Sequence, residues 1–224
     1  MNRTKLKDRK LPDYTHGEEI FNMVSHIVGG ALGVVAVTLC VIFAAIHKNV
    51  WGVVGGAIYG ATLIILYTMS SIYHGLSPKL MAKKVFQVID HCSVFVLIAG
   101  TYTPIALSAL RGYSPALGWT IFGVIWALAA LGITLNAIDL KKYNVFSMIC
   151  YLFMGWLVLF AAKPTYIALG LPAILFLLAG GVSYTVGAVI YMACRKKRYG
   201  HSIFHIFVVI GSLLHFFCIL FYIV

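Results

Sequence analysis

"FNMVSHIVGGALGVVAVTLCVIFAAI", residues 21–46, is an apolar stretch without a single Asp, Glu, Lys or Arg. About 20 apolar residues are enough for a helix to cross the roughly 30 Å of hydrocarbon in a bilayer. The apolar core of a signal peptide is shorter, at about 7–15 residues, and no clean small-residue cleavage site is present here. The stretch therefore predicts a retained membrane span near the N-terminus.

The composition of the whole chain agrees with this interpretation. The 224 residues are 62% hydrophobic and 10% charged, and the mean hydropathy is +0.96. Soluble domains are about half apolar and about one quarter charged. The five cysteines lie singly and no CxxC motif occurs, which argues against a disulfide framework or a thiolate metal site. The composition thus places the chain among integral membrane proteins.

Six further segments are long and apolar enough to cross a membrane. They are residues 51–73, 86–108, 117–137, 144–162, 169–193 and 202–224. Each should be a helix, because backbone polar groups in lipid must be hydrogen-bonded within the segment. The sequence therefore predicts an all-α, seven-transmembrane helix bundle formed by residues 20–224, preceded by a cytoplasmic basic tail at residues 1–19.

The basic residues predict the orientation of this bundle. Fourteen lie on one side, in the tail and in the loops after the second, fourth and sixth spans: Arg3, Lys5, Lys7, Arg9, Lys10, Lys79, Lys83, Lys84, Lys141, Lys142, Arg195, Lys196, Lys197 and Arg198. The opposite loops carry only Lys48, Arg111 and Lys163. The positive-inside rule then predicts a cytoplasmic N-terminus and an external C-terminus. The net charge of +11 reflects this topology, and no nucleic-acid partner is expected.

Several ionisable side chains fall at one depth near the predicted inner face. His74 ends the second span, Asp90 and His91 begin the third, and His201 and His205 begin the seventh. Residues four apart share a helix face, so the last two imidazoles point the same way. Polar groups inside a membrane are costly and usually functional.

Three imidazoles from two spans could occupy three corners of a metal site with one open position, which is the pattern of catalytic Zn²⁺. Imidazole also suits iron, copper and nickel, and hydrogen bonds between helices are a simpler explanation for membrane histidines. The HExxH motif of zinc proteases is absent, since Ser202 stands where its glutamate would be. The spacing alone therefore leaves both interpretations open.

Four segments carry a resemblance to a known family: "EEIFNMVSHIVGG" (18–30), "SSIYHGLSP" (70–78), "IDHCSVFVLIAGTYTP" (89–104) and "HSIFHIFVVIGSLLH" (201–215). They resemble the haemolysin III family, the bacterial members of the progestin and adipoQ (adiponectin) receptor group, in a superfamily that includes alkaline ceramidases. The resemblance implies a zinc ion held by His74, His201 and His205 in a multi-pass protein of the bacterial plasma membrane. It also implies that Asp90 and Ser70 lie close to the metal, through water.

Other residues in these segments are expected to support the ligands. Glu19 (or Glu18), Asn22 and His26 match the family's first-span acid, asparagine and histidine, and His91 is an additional imidazole beside Asp90. Simpler explanations exist for several of the predicted site residues. The acids could cap the first helix, Asp90 could pair with Lys83 or Lys84, Ser70 could bond its own helix, and His91 could pack against a neighbour.

These expectations favour a zinc-dependent lipid amide or ester hydrolase in membrane lipid homeostasis. Asp90 and Ser70 would be its catalytic groups, and an acyl lipid would enter from the inner leaflet. Two alternatives remain: a non-enzymatic sensor or regulator of membrane state that holds a structural zinc, and a cytolytic activity that only the family name suggests.

Overall fold

The computed structural model describes residues 3–194 and 197–224, so Arg195 and Lys196 of the predicted inner loop lie outside the described residues. The described part contains no strand, and the predicted all-α class is confirmed. The long helices are α1 (His16–Ile46), α2 (Val50–Gly75), α3 (Met81–Pro104), α4 (Pro115–Gly155), α5 (Ala162–Cys194) and α6 (Gly200–Tyr222). Short 3₁₀ helices occur at Leu6–Asp8 and Leu157–Ala161, and a π-helix at Ile105–Leu110 leads into the single turn Arg111–Tyr113.

Five helical stretches are long and apolar enough to cross a membrane: His16–Ile46, Val50–Gly75, Met81–Tyr113, Pro115–Cys194 and Gly200–Tyr222. The predicted count of seven spans stays a prediction. The 80-residue stretch leaves helical geometry at Asp139 and again at Gly170. Asp139 lies in the predicted gap 138–143, and Gly170 lies just after the predicted gap 163–168.

The first helix begins earlier than the predicted span. Thr15 and Glu18 form a capping box: the Glu18 backbone N–H donates to Thr15 Oγ1 at 3.3 Å, and the Thr15 N–H donates to Glu18 Oε2 at 2.9 Å. Such reciprocal bonds satisfy backbone donors that a helix start leaves free. Residues 16–19, predicted as the end of the tail, therefore form the first turn of α1.

Close packing between helices brings α1, α2 and α6 together. α1 packs against α2 and α6, α2 and α4 pack against α3, and α5 packs against α6. At the α1–α2 contact, a Cβ placed on Gly60 would lie 2.6 Å from the backbone Cα of Val37. Only glycine fits at this position. Small residues at helix interfaces in membranes generally let two helix backbones approach closely.

Hydrogen bonds around Ser212 fix the relative positions of α2, α5 and α6. Its hydroxyl lies 2.7 Å from Tyr67 Oη on α2 and 2.7 Å from Tyr184 Oη on α5, and its carbonyl accepts from Tyr59 Oη at 3.0 Å. Ser212 lies seven residues, or about two helical turns, after His205. The same interval separates Tyr67 from His74, so this contact sets the register in which α2 and α6 present their histidines.

Candidate metal centre

Three buried histidines from two helices meet near the end of the bundle that the N-terminal tail covers. His74 lies in the last turn of α2, and His201 and His205 lie in the first turns of α6. The Nε2 atom of His201 is 3.3 Å from Nε2 of His74 and 3.0 Å from Nε2 of His205. One ligand atom from each ring lies within 4.8 Å of the others, so the group could hold a metal ion.

The start of α6 is held in place by the start of α1. Tyr199 precedes α6 in the left-handed region, with φ of 57°, and its backbone N–H donates to Glu18 Oε1 at 2.6 Å. A Cβ on the next residue, Gly200, would lie 2.3 Å from the carbonyl oxygen of Cys194. Glu18 therefore caps α1 and ties it to the turn that aims His201 into the cluster.

A largely buried pair of charged groups, Glu19 and Lys83, supports His74. Its Nδ1 lies 2.6 Å from Glu19 Oε2, and the other oxygen of Glu19 lies 2.7 Å from Lys83 Nζ. Lys83 is 1% exposed and also donates to the carbonyl of Leu76 at 2.9 Å. When Nδ1 donates to the carboxylate, Nε2 keeps its lone pair for a metal, as in carboxylate–histidine–metal arrangements.

The first helix also supports His205. The Nδ1 atom of His205 lies 3.3 Å from the carbonyl oxygen of Asn22 and 3.5 Å from Ser25 Oγ. The ring of His26 stacks on it with centroids 3.7 Å apart and an angle of 10° between the planes. A backbone carbonyl is an acceptor only, so Nδ1 carries the proton when it makes this bond, and Nε2 is free to ligate.

An aromatic ring from the N-terminal tail covers His201. Tyr14 stacks on this imidazole with a centroid separation of 5.1 Å and an interplanar angle of 12°. Burial and nearby acidic groups raise the pKa of the Tyr14 hydroxyl well above its usual value. The phenol is therefore neutral at physiological pH, and the tail contributes a flat, uncharged cover to the histidine cluster.

Buried polar atoms without a hydrogen-bond partner in the described part of the chain are concentrated around the cluster. Seven of the eleven such atoms lie there: both amide atoms of Asn22, both ring nitrogens of His26, Ser70 Oγ, His201 Nδ1 and Ser202 Oγ. The other four are Arg9 Nε and Nη1, Gln87 Oε1 and His215 Nδ1. Buried polar groups in native proteins are almost always hydrogen-bonded. This concentration therefore fits a place that binds polar ligand atoms or water, and with the three imidazoles it fits a metal site.

The cluster opens on a cavity of about 150 Å³ whose walls are mostly apolar. Ser70, Asp90, His201 and His205 share its lining, and the cavity continues between α3, α4, α5 and α6 as far as His215. A substrate in this cavity would therefore contact the predicted catalytic groups and two of the three predicted metal ligands.

Comparison with known proteins identifies the chain. A family model described as haemolysin-III related matches residues 14–216. The chain belongs to the haemolysin III family. It is 40% identical over 207 residues to Hemolysin-3 of Bacillus cereus, which covers 92% of each chain. It is 38% identical over 209 residues to the Hemolysin-3 homolog of Bacillus subtilis (strain 168), which covers 93% of this chain and 96% of that one.

A more distant relative of this haemolysin III protein is human. The monocyte to macrophage differentiation factor of Homo sapiens is 27% identical over 214 residues, which covers 92% of this chain and 80% of that one. The matched region in each comparison takes in nearly the whole chain. The match to the family model, which begins at residue 14, includes the tail residue Tyr14 as well as the helices that carry the histidines.

The structure of this haemolysin III protein brings together most of the residues singled out by sequence. Contacts join His74, His201 and His205 to Glu19, Asn22 and His26. Ser70, Asp90 and His91 line the adjoining cavity. The backbone carbonyl of His91 accepts a hydrogen bond from Tyr151 Oη at 2.6 Å. His91 therefore also takes part in the packing of α3 against α4.

Two of the simpler alternatives are not realised in the described residues. Lys83 pairs with Glu19, and Lys84 donates to the carbonyl of Lys7 at 2.6 Å, so neither lysine is the partner of Asp90. The Ser70 hydroxyl makes no bond to its own helix, whereas the adjacent Ser71 Oγ donates to the carbonyl of Tyr67 at 2.7 Å. Ser70 therefore keeps its hydroxyl for a ligand in the cavity.

Sequence reasoning missed Tyr14 and Lys83. Tyr14 lies in a polar tail with no periodic pattern that could reveal a contact with α6, which is more than 180 residues away in the chain. Lys83 was interpreted as one of the basic loop residues that set the orientation and as a possible partner of Asp90, but not as the partner of Glu19. The useful signal was the acid at position 19, because a carboxylate at membrane depth needs a cationic partner.

Proposed function

We propose that this protein is a zinc-dependent hydrolase that cleaves amide or ester bonds of acyl lipids. The observation that carries the proposal is the convergence of three imidazole Nε2 atoms beside an apolar cavity. A tetrahedral zinc ion with bonds of about 2.0–2.1 Å holds its nitrogen ligands about 3.3–3.4 Å apart. The two Nε2 separations of 3.3 and 3.0 Å are close to that spacing.

The residues around the cluster supply the other parts of such a reaction. When bound, a zinc ion supplies Lewis acidity that polarises an acyl carbonyl and makes water a better nucleophile near neutral pH. Asp90, on the cavity wall, accepts a proton from the attacking water and returns it to the leaving amine or alcohol. The Ser70 hydroxyl, which has no partner among the described residues, donates a hydrogen bond to the carbonyl oxygen of the substrate.

The shape of the cavity favours a lipid substrate. Its walls are almost entirely apolar away from the histidines, and they run from Asp90 to Trp156 and His215. An acyl chain buries apolar surface along such walls, which stabilises binding by roughly 0.8 kcal/mol for each methylene removed from water. The polar groups at one end then meet the carbonyl carbon of the chain.

The proposed setting is a seven-span bundle in the bacterial plasma membrane, with the N-terminus in the cytoplasm. Breaks at Asp139 and Gly170 support the division of the 80-residue stretch into three spans, because at 1.5 Å per residue it is far longer than one crossing needs. The strong bias of basic residues towards the tail side supports the orientation. Cysteine accessibility labelling at Lys48→Cys and Lys142→Cys in intact cells tests both points.

The direct test is lipid hydrolysis by the full-length protein in lipid nanodiscs. Protein loaded with zinc would be given a ceramide, as an amide, and a phospholipid, as an ester, and the released fatty acid measured by mass spectrometry. Release that depends on zinc and disappears with Asp90→Asn supports the proposal. Fully folded, zinc-loaded protein that releases no fatty acid from either lipid class counts against it.

A regulator with a structural zinc is the second candidate, because the histidine cluster also links helices. His74 on α2 contacts His201 on α6, and both helices are tied to α1 through Glu19 and Asn22. A metal at this position would stabilise the bundle, because its binding energy would add to folding. Loss of the fold on chelation, without hydrolysis by the loaded protein, would favour this role.

The names of two relatives, Hemolysin-3 and the Hemolysin-3 homolog, make membrane lysis a third candidate. Release of a trapped dye from liposomes measures it with the same purified preparation. Release at a low ratio of protein to lipid would support a lytic activity, and intact liposomes would leave the hydrolase and the regulator as the candidates.

A further inference from the structure

A second cavity lies between the N-terminal tail, α3 and the part of α4 after Asp139. Its volume is about 410 Å³, and its walls include Arg9 and Lys10 from the tail, Gln87 from α3 and Lys141 from α4. We refer to this cavity as the vestibule. His91 and Tyr191 line both the vestibule and the cavity beside the histidine cluster, so the two spaces share a wall.

Arg9 is a buried cation on the wall of the vestibule. It is 7% exposed, and its Nε and Nη1 atoms have no hydrogen-bond partner in the described part of the chain. Burial lowers the pKa of its guanidinium and the charge of nearby Asp139 opposes this shift. A guanidinium remains protonated in proteins, and a buried charge without hydrogen bonds is costly.

The Asp139 carboxylate does not supply the missing hydrogen bonds. Its Oδ2 accepts from the backbone N–H of Thr4 at 2.8 Å, and its Oδ1 accepts from those of Lys141 and Lys142 at 3.1 and 3.2 Å. Asp139 thus anchors the tail and begins the second half of α4. The two free donor atoms of Arg9 therefore call for an acceptor that the described residues do not supply.

The charged residues that line the vestibule favour the binding of an anion. Among the described residues, Arg9, Lys10 and Lys141 line it against one acid, Asp8, and the carboxylate of Asp139 lies near Arg9. The Oε1 atom of Gln87 is also buried without a partner in the described residues, and it can accept from a hydroxyl. A guanidinium presents its N–H groups as a fork that matches two oxygens of a phosphate. The lysines add charge, and a protonated phosphate or a neighbouring hydroxyl would satisfy Gln87.

We propose that the vestibule binds a phosphate group, carried by a membrane lipid headgroup or by a free phosphate compound. The binding itself does not depend on any hydrolysis at the histidine cluster. One extension rests on the proposed function: a lipid with its phosphate in the vestibule would place its acyl chain in the apolar cavity, which requires the wall at His91 and Tyr191 to open for the chain.

The test is a binding measurement on the full-length protein in nanodiscs of phosphatidylcholine. In one arm the nanodiscs contain increasing amounts of phosphatidic acid, and in the other inorganic phosphate is added to the solution. Native mass spectrometry counts the bound molecules. Arg9→Gln is expected to weaken binding about tenfold or more, because it removes a charge-assisted fork. Lys5→Gln is the matched control, since it removes one charge from an exposed position of the same tail.

A second pair of variants tests the proposal if Arg9→Gln does not fold. Lys141 and Lys142 are adjacent and both exposed, but only Lys141 lines the vestibule. Lys141→Gln should weaken binding several-fold, and Lys142→Gln should leave it unchanged. Binding of phosphatidic acid, whether or not inorganic phosphate displaces it, identifies a lipid headgroup as the ligand. Binding of inorganic phosphate without binding of phosphatidic acid identifies a free phosphate compound.

The proposal is overturned if wild type binds neither ligand, or if both members of each pair weaken binding equally, since bulk charge would then explain the effect. Because binding is counted without turnover, a protein that binds phosphate but hydrolyses nothing would separate the vestibule from the hydrolase. Hydrolysis with no phosphate binding would separate them in the other direction.

Discussion

The carboxylate of Glu19 lies between His74 and Lys83, with Oε2 2.6 Å from His74 Nδ1 and Oε1 2.7 Å from Lys83 Nζ. It therefore accepts a hydrogen bond from the imidazole on one side and pairs with the lysine ammonium on the other. All three groups are largely removed from water, so each charge depends on its neighbour. This arrangement makes Glu19 the residue through which α1 acts on the histidine of α2 and on the start of α3.

Replacing Glu19 by glutamine should weaken both metal binding and the fold. The neutral amide makes a weaker bond to His74, and loss of such a supporting carboxylate typically lowers metal affinity 10- to 100-fold. It also leaves Lys83 as a buried, unpaired cation, which costs about 3–5 kcal/mol. Competition with a chelator measures the affinity, and thermal unfolding in detergent measures the stability.

The double variant Glu19→Gln/Lys83→Met separates these two effects. Removing the unpaired cation should recover part of the lost stability, while metal affinity stays low. Asp13→Asn, an exposed acid in the tail, is the control and should change neither quantity. Equal stability of Glu19→Gln and wild type would show that the buried pair does not support the fold.

Alanine at position 201 should remove the metal. His201 provides the Nε2 atom that lies within 3.3 Å of both other imidazoles, so its loss leaves only two ligands. Metal analysis of the purified protein should fall from about one zinc ion per chain to well below half. His16→Ala removes an exposed histidine at the start of α1 and should retain full metal content. Stoichiometric zinc in His201→Ala would contradict the site.

Asp90→Asn should abolish hydrolysis while the metal remains bound. An amide of the same shape keeps the packing of α3 but cannot accept the proton, and loss of a general base usually lowers the rate by about 10²–10⁴. Fatty-acid release and metal content are measured on the same sample. If activity and metal disappear together, Asp90 acts as a ligand or a structural residue.

Tyr14→Ala should expose the histidine cluster to the solvent. The ring that stacks on His201 would be missing, and such aromatic contacts contribute about 0.5–1.5 kcal/mol beyond their buried area. We expect faster metal loss to a chelator and faster hydrogen exchange at the start of α1. Tyr14→Phe keeps the ring and should behave like wild type, because Tyr14 acts through its flat face. A metal-loss rate unchanged in Tyr14→Ala would show that the tail is not a cover.

Gly60→Ala should destabilise the contact between α1 and α2. The added methyl would lie 2.4 Å from Cβ of Val37 and 2.6 Å from its Cα, so the helices must separate, at a cost of about 1–3 kcal/mol. Gly123→Ala is the matched control, because no atom lies within 4 Å of the added methyl and the position is exposed. A thermal melt of each variant in the same detergent compares them, and an equal effect would refute close packing at position 60.

Part of the site was predictable because its signal is local. The four-residue interval between His201 and His205 places both rings on one helix face whatever surrounds the helix. The rarity of ionisable residues in long apolar segments singled out His74 and Asp90 as well. The partner of Lys83 was not predictable, because Asp90 is only seven residues away in the sequence, whereas Glu19, with which Lys83 pairs, is 64 residues away.

The apolar stretches by themselves determined that this chain is an all-helical membrane protein. An apolar segment in lipid must hydrogen-bond its backbone groups to one another, and an α-helix does so within a single segment. Spacing along single helices likewise determined which histidines share a face. Only the tertiary structure decided that Glu19 pairs with Lys83, that Tyr14 covers His201, and that Arg9 is buried beside an open space. Those contacts join segments far apart in the chain, and they depend on how the helices pack and where the tail folds back, which no local pattern encodes.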